Sequence, residues 1–391
     1  MNSGQAAMTP QPAGLSLKRK LLFSLVVVVL AWLAAELLFR VVGYNFEDPR
    51  RGLQLVPPFY RIPTEPVGTF AYHRPGNIYW QGQPLKTQLG LQGFDDSDYD
   101  SEVEVYVEYD RDGFRNSCDL QDWSIVFVGD SFTELGHLPR EQLFTAIVAA
   151  ESGRPVKNLG TSYTGPFTHS VYLAEYGISP GSRDAVLVFF EGNDLDDLVG
   201  EEILRARAQR PGFKHENLLD QATEQRSLTV ALVNFVRALP ASRSGSAANA
   251  TYQAAGVRHR VTVSYAPAEM VVGQRRWDLM IQALDNWVEV CKKNKIRSWF
   301  LYMPCKHRVL HPFLKLDPTA HPALRSWQPG PLGDQLSRLC ETRQLTFLDA
   351  TAVLQRSAAA GEIPYNTVFD THLNERGSRL VAELLIGRIS D

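Results

Sequence analysis

Short apolar runs separated by helical patterns are the feature of this 391-residue chain that most constrains its fold. Residues 125–128 and 185–190 are uninterrupted apolar runs, and residues 298–303 form a third run with a single polar residue at its start. Runs of this length without polar alternation are typical of strands buried on both faces, as in a parallel sheet covered by helices. Helical periodicity lies between them, most clearly over 277–294. This alternation predicts an α/β fold.

Gly129-Asp130-Ser131 directly follows the first apolar run. A residue at the turn from a buried strand into a helix lies at the carboxyl edge of the sheet, where α/β sheets bind their ligands. At such a turn, a serine hydroxyl such as that of Ser131 can act as a nucleophile on a bound substrate. By itself the tripeptide is more typical of an ordinary turn.

Three further segments accompany it. Lys157-Asn158-Leu159-Gly160 ends a short strand pattern, Glu191-Gly192-Asn193-Asp194 follows the second run, and His372 lies in Phe369-Asp370-Thr371-His372-Leu373-Asn374-Glu375-Arg376-Gly377. In this order, the four segments resemble the signature blocks of the SGNH (GDSL-type) hydrolase superfamily over roughly residues 110–391. With the strand and helix patterns, the resemblance implies a flavodoxin-like three-layer α/β/α sandwich with a central parallel sheet.

Serine catalysis explains why these residue types occur together. A serine hydroxyl becomes a good nucleophile when an imidazole takes its proton and a carboxylate orients that imidazole. Ser131, His372 and Asp370 supply the three groups. The resemblance assigns the oxyanion hole to the backbone N–H groups of Ser131 and Gly160 and to the side-chain amide of Asn193. Removing one such donor costs on the order of 3 kcal/mol of transition-state stabilisation.

The spacing between the aspartate and the histidine of the predicted triad departs from the usual pattern of the family. An aspartate normally precedes the histidine by three residues, but Phe369 occupies that position here, and the local acid is Asp370, two residues before His372. Residues two apart in an extended segment point the same way, so Asp370 can still reach the imidazole. The shorter spacing resembles the alginate O-acetyltransferase-like branch. Asp349, after the strand pattern of residues 345–348, is the alternative acid.

Other polar residues near these segments have simpler interpretations. Asp130 is predicted to brace the nucleophile turn, Asn374 to cap the last helix, and Lys306 either to contact an anionic substrate or to be solvated. Three histidines are expected at the surface or supporting the site from outside: His137, His169 and His307. No pattern matches a metal site, a phosphate loop or a dinucleotide fingerprint, so no metal and no cofactor is expected.

The N-terminal segment predicts a membrane anchor. Residues 21–40 are strongly apolar and follow Lys18-Arg19-Lys20, so residues 1–20 are expected to stay cytoplasmic and the rest to be translocated. A cleaved signal peptide is the alternative, but cuts after Ala34 or Ala35 would place Trp32 or Leu33 where a small residue is preferred. Glu36 is expected near the interface or paired within the membrane. These features predict a single-pass protein of the bacterial inner membrane with a periplasmic domain.

The remaining sequence divides into three parts. Residues 41–112 are predicted to form a juxtamembrane linker and an accessory β region. The signal for the β region is clearest over residues 102–108, where apolar and charged residues alternate. Residues 113–391 form the predicted hydrolase domain, and residues of about 205–268, which lack sustained periodicity, are expected to be a partly mobile insertion. Cys291 falls on an apolar helix face and is expected to be a packed thiol. The net charge of −3 provides no basic field for nucleic acid.

These observations predict an exported serine esterase that acts on acyl, most simply acetyl, esters of a carbohydrate or a lipid. An O-acetyltransferase that modifies an exported polysaccharide is the alternative, because only the group that attacks the acyl-enzyme differs. A transferase would need a membrane partner to deliver acyl groups. A catalytically silent binding module is a third class, against which the presence of Ser131, Asn193 and His372 argues.

Overall fold

The computed structural model describes residues 16–42, 60–63, 70–73, 76–82, 105–208 except 118 and 163, 228–229, 248–263, and 273–389 except 319, 321 and 368–370. The chain divides into two compact units. Residues 1–53 and 218–241 form one unit, and residues 54–217 and 242–391 form the other.

Helix α1, Leu17–Val42, is the described helix of the first unit that is long and apolar enough to cross a membrane. The most apolar stretch of 18 residues within Leu17–Val41 has a mean hydropathy of 2.6, and the helix is exposed to solvent along most of its length. A membrane anchor shares these properties with a signal sequence. The Glu36 carboxylate pairs with Arg40 at 2.8 Å and accepts a hydrogen bond from the Thr229 N–H at 3.1 Å. Trp32 Nε1 donates to Thr229 Oγ1 at 3.0 Å. Glu36 is thus paired both within α1 and with the segment at residue 229.

A five-stranded parallel sheet forms the centre of the second unit. Its strands are β5 (Ile125–Gly129), β6 (Val156–Gly160), β7 (Asp184–Phe190), β10 (Arg297–Met303) and β12 (Thr346–Asp349). They lie in the order β6–β5–β7–β10–β12, which is the flavodoxin-like order with its reversal of direction between β5 and β7. The prediction of a flavodoxin-like sandwich with a central parallel sheet is confirmed.

Both faces of this sheet are buried, which explains the uninterrupted apolar runs. Phe127 and Val186 pack into one core, whereas their neighbours Val126 and Leu187 pack into the other, because successive residues of a strand point to opposite faces. On the first face lie α3 (Phe144–Ser152), α10 (Thr351–Ala359) and α11 (Glu375–Ile389). On the second lie α4 (Pro166–Tyr172), α5 (Asp194–Ala208), α6 (Gln274–Asn294) and α9 (Leu332–Glu341). Three short helices complete the set: α2 (Ser131–Glu134), α7 (Lys306–Leu310) and α8 (Pro322–Ser326).

Smaller antiparallel sheets accompany the central one. Strand β1 (Tyr60–Pro63) pairs with β2 (Phe70–His73), and β3 (Ile78–Gly82) pairs with β4 (Val105–Tyr109). Strand β4 buries Val105, Val107 and Tyr109 and exposes Tyr106, which matches the predicted alternation.

Part of the predicted insertion is an ordered sheet. Strands β8 (Ala250–Ala254) and β9 (Val257–Val261) form a hairpin, and β11 (Leu314–Leu316) extends it at the β8 edge. Ala255 and Gly256 turn the hairpin with φ of 49° and 80°, the two positive values that a two-residue type I′ turn requires. Residues 250–261 of the predicted insertion therefore form regular structure, although their sequence lacks sustained periodicity.

Candidate active site

Ser131 lies where β5 turns into α2. The Asp130 side chain caps this helix, since its Oδ1 accepts the Phe132 N–H at 2.9 Å, as expected of a residue that braces the turn. Gly129 is required at the end of β5 because a Cβ there would lie 2.2 Å from Thr133 Oγ1 and 3.0 Å from Val188 Cβ. These contacts hold Ser131 half-buried at the carboxyl edge of the sheet.

His372 meets Ser131 at this edge. Its Nε2 lies 2.7 Å from Ser131 Oγ, a hydrogen-bond distance across which a proton can pass. The imidazole packs against Phe132, with ring centroids 4.7 Å apart. The backbone on either side is also fixed, because the Asn366 N–H donates to the His372 carbonyl at 3.0 Å. The structure therefore brings together two residues that are 241 positions apart in the sequence.

His137 supports this arrangement from outside, as predicted. Its Nε2 lies 2.8 Å from the Leu373 carbonyl, so this nitrogen carries the proton and donates, and its ring lies 5.7 Å from the His372 ring. His169 and His307 are buried in the interior, which excludes the surface, one of the two positions expected for them. Burial lowers the pKa of His169 to about 3 and that of His307 to about 4, and both are therefore neutral near pH 7.

The two candidate acids have different positions. Asp370 lies outside the described residues, and its role as the acid of the triad stays a prediction. Asp349 ends β12, three strands away from β5, which at the usual strand spacing is about 14 Å. Its Oδ1 accepts the Thr351 N–H at 2.7 Å, next to the start of α10. The position and the contact of Asp349 are those of a residue that caps a turn.

The two backbone N–H groups predicted to bind the oxyanion, those of Ser131 and Gly160, differ in their hydrogen bonds. Among the described residues, the Ser131 N–H has no hydrogen-bond partner and is available to an oxyanion. The Gly160 N–H instead donates to Asn158 Oδ1 at 2.7 Å. A Cβ on Gly160 would lie 2.3 Å from the Glu134 nitrogen, so this glycine allows β6 to pack tightly against α2. The structure thus gives Gly160 contacts within the fold, and its predicted contact with the oxyanion stays a prediction.

Asn193 lies in the turn between β7 and α5. Its Nδ2 donates to Asp197 Oδ2 at 2.6 Å, which fixes the orientation of the amide and leaves the second hydrogen of that nitrogen for another acceptor. Asn193 Oδ1 is buried, and it has no partner among the described residues.

Buried carboxyl groups surround this amide. Burial, together with the nearby charges of Asp130 and Glu201, raises the pKa of Asp197 to about 8. Burial likewise raises the pKa of Asp194 well above its ordinary value, with a further contribution from Asp130. Asp197 therefore retains its proton near neutral pH.

Two buried side chains that sequence reasoning did not identify hold the segment after Ser131. The Arg115 guanidinium donates to the carbonyls of Glu134, at 2.9 Å, and of Leu135 and Leu138. The Glu134 carboxylate accepts the Tyr109 hydroxyl at 2.7 Å and the Ser162 N–H at 2.9 Å. The signal that could have identified them is weak, because each partner lies 19 or more residues away in the sequence.

Lys306 is not solvated, and its predicted contact with an anionic substrate stays a prediction. Its side chain is buried, and its Nζ donates to the carbonyls of Thr262 at 3.2 Å and Thr367 at 3.4 Å. The expectation that Lys306 is solvated is therefore wrong. The ammonium group instead ties the end of the β8–β9 hairpin to the segment that leads to His372.

The remaining predictions concern the last helix and the thiols. Asn374 Oδ1 accepts the Gly377 N–H at 3.0 Å, which confirms Asn374 as the N-cap of α11.

Cys291 is buried on α6, and burial raises the pKa of its thiol to about 12, as expected of a packed thiol. Within the described part of the chain, no three histidine, cysteine or acidic side chains form a group that could hold a metal ion.

No family model matches the chain, and no curated protein is similar to it. Solved structures with a similar fold include a member of the lipolytic G-D-S-L family from Veillonella parvula (11% identity, 68% of this chain and 98% of that chain, TM-score 0.36). A phospholipase A1 from Streptomyces albidoflavus is 12% identical over 69% of this chain and 100% of that chain, with a TM-score of 0.35. A carbohydrate esterase family 2 enzyme with a carbohydrate-binding domain, from Corynascus, is 10% identical over 71% of this chain and 69% of that chain, with a TM-score of 0.36. The central sheet of this chain has the flavodoxin-like strand order, and the sequence blocks that contain Ser131, Gly160 and Asn193 follow the carboxyl ends of its strands.

Proposed function

We propose that this protein is a membrane-anchored serine esterase that removes acyl groups, in the first instance acetyl groups, from an exported carbohydrate. The observation that carries the proposal is the 2.7 Å contact between Ser131 Oγ and His372 Nε2 at the carboxyl edge of the sheet. That edge, where the strand order reverses between β5 and β7, is where open α/β sheets bind ligands.

The reaction follows from these groups. His372 Nε2 takes the Ser131 hydroxyl proton while Oγ attacks the ester carbonyl carbon, and Asp370 orients the imidazole. The resulting oxyanion is stabilised by the Ser131 N–H and by the hydrogen of Asn193 Nδ2 that Asp197 does not engage. His372 then protonates the departing alcohol, which leaves an acyl group on Ser131. Water, deprotonated by His372, hydrolyses this acyl-enzyme and releases the carboxylate.

The proposed location rests on α1 and on the basic residues in its first turn. Lys18, Arg19 and Lys20 precede the apolar span, and basic residues of this kind favour the cytoplasmic side. The catalytic unit would then face the periplasm. A reporter enzyme fused after Asp391 is expected to be active only outside the cytoplasm, and a mature chain that begins near residue 35 would instead show a cleaved signal sequence.

Transfer to a sugar hydroxyl is the second candidate, and the Asp370–His372 spacing favours it. One experiment distinguishes the two reactions. The purified full-length protein is incubated with an aryl acetate, with and without an oligosaccharide acceptor, and both acetate and acetylated sugar are measured. Free acetate in both arms supports the esterase, and acetylated sugar at the expense of acetate supports the transferase. If neither product depends on Ser131, both proposals are wrong.

A further inference from the structure

A cavity of about 270 Å³ lies beside α7, the short helix that follows β10. Strand β10 is two strands away from β5 in the sheet, so α7 begins at the same carboxyl edge as Ser131. Aromatic and cationic side chains line the cavity together with three leucines: His307, His311, Trp327, Arg325, Leu314, Leu316 and Leu324.

Several polar atoms in this lining have no partner among the described residues. His307 is 1% exposed, yet neither Nδ1 nor Nε2 of its ring makes a hydrogen bond. Trp327 is 6% exposed, and its Nε1 has no partner either. Leaving a buried polar group without a hydrogen bond costs about 1–3 kcal/mol, and a ligand in the cavity that reached these three atoms would remove that cost.

The chemistry of these atoms selects a class of ligand. Burial keeps His307 neutral, so one ring nitrogen donates a hydrogen bond and the other accepts one. The Trp327 indole adds a donor and a flat apolar surface, 4.7 Å from the His307 ring. A sugar ring fits this combination, because each hydroxyl both donates and accepts and the ring carries an apolar face that can lie on an indole.

A chain of contacts joins the cavity to the active-site turn. The Arg308 guanidinium lies 5.4 Å from the Trp327 ring and pairs with the buried Glu191 carboxylate at 2.8 Å. Glu191 also accepts the Cys305 N–H at 2.9 Å and precedes Asn193 by two residues. The cavity wall and the turn that carries Asn193 are thus held by the same ion pair.

We propose that the His307–Trp327 cavity is a subsite that binds a neutral pyranose ring of an extended glycan. One sugar unit would occupy it while an acylated unit of the same glycan lies at Ser131. This inference deepens the proposed function and rests on it for the identity of the substrate as a carbohydrate.

The test measures binding without turnover. Full-length Ser131→Ala protein, in a detergent without a sugar head group, is titrated by calorimetry with cellohexaose, xylohexaose and chitohexaose. We expect at least one of these glycans to bind, and Trp327→Ala in the same background to weaken that binding by at least about tenfold. Trp277→Ala is the matched control, since this tryptophan lines a different cavity of about 440 Å³, and it should leave the affinity unchanged.

A second variant separates binding from folding. His307→Phe keeps an aromatic ring but removes both unpartnered nitrogens, so it should weaken binding about fivefold to tenfold while the Tm stays the same or rises. The proposal is overturned if none of the three glycans binds, if Trp327→Ala binds as tightly as its parent, or if His307→Phe lowers the Tm. None of these results changes the outcome of the aryl acetate assay, which measures ester cleavage by Ser131 without a glycan. Failure of the proposed subsite is therefore distinguishable from failure of the proposed function.

Discussion

Substituting Gly160 by alanine should destabilise the fold before it affects chemistry directly. The added Cβ would lie 2.3 Å from the Glu134 nitrogen and 2.5 Å from the Thr133 carbonyl carbon, both backbone atoms of α2. Backbone atoms cannot rotate away as the end of a flexible side chain can. Strand β6 and the helix that carries Ser131 must therefore move apart.

Overpacking a buried position costs about 1–3 kcal/mol, and a clash with backbone belongs at the upper end of that range. A loss of about 3 kcal/mol corresponds to a fall of roughly 6–12 °C in Tm for a domain of this size. Because α2 also positions the Ser131 nucleophile, we expect kcat on an aryl acetate to fall together with the stability.

Gly136→Ala is the matched control. This glycine lies in the same segment, five residues after Ser131, and a Cβ there would meet no atom within 4 Å. Thermal unfolding and aryl acetate kinetics of both variants and of the parent test the argument. If Gly160→Ala kept the parental Tm but raised KM or lowered kcat, the glycine would face the substrate, and the packing argument would be wrong.

Three further predictions concern single side chains. Asn193→Ala should lower kcat about 10²- to 10³-fold with little change in KM, because its amide donates only as charge develops on the substrate oxygen; a change in KM alone would contradict this. Asp370→Asn should reduce kcat far more than Asp349→Asn, since Asp349 lies three strands from β5, and the reverse ranking would make Asp349 the acid. Asp197, whose pKa is about 8 when folded and near 4 when unfolded, keeps its proton only in the folded state between these values, so stability should fall as pH rises from 5 to 8. In Asp197→Asn this fall should be shallower, as measured by Tm across the pH series, and an unchanged slope would contradict the assignment.

The central sheet could be predicted from the sequence because its strands are buried on both faces. Residues 125–128 and 185–190 had to be apolar at every position, and such runs are recognisable without any knowledge of the partner strands. The four blocks then placed Ser131 and His372 correctly at one edge. Their contact at 2.7 Å could not be derived from the strand order, because His372 lies in the segment before α11 and not on a strand of the sheet.

The β8–β9 hairpin could not be recognised in the same way. Its turn is Ala255-Gly256, and alanine is unusual at a position that requires a positive φ, so the Asn-Gly or Asp-Gly signal of a type I′ turn is absent. Its strand β9 is also largely exposed and carries charge at Arg258 and Arg260, which hides the alternation.

The roles of Gly160, Lys306 and His307 depend on contacts that are distant in sequence. Gly160 is a glycine because α2 packs on it, although a glycine that approaches a substrate would have the same sequence. Lys306 is buried because carbonyls at residues 262 and 367 surround its ammonium group. No local pattern distinguishes such a lysine from a solvated one, since the distinction arises only when the chain is folded.

Covalent labelling with a fluorophosphonate tests the central claim, that His372 activates Ser131 as a nucleophile, most directly. The full-length protein is treated with the probe, and the modified residue is located by mass spectrometry of its peptides. We expect a single adduct on Ser131 that is absent in Ser131→Ala, at least about 10³-fold slower to form in His372→Ala, and formed at the parental rate in Asp349→Asn. An adduct on another serine, or labelling of Ser131 at the parental rate in His372→Ala, would contradict the account.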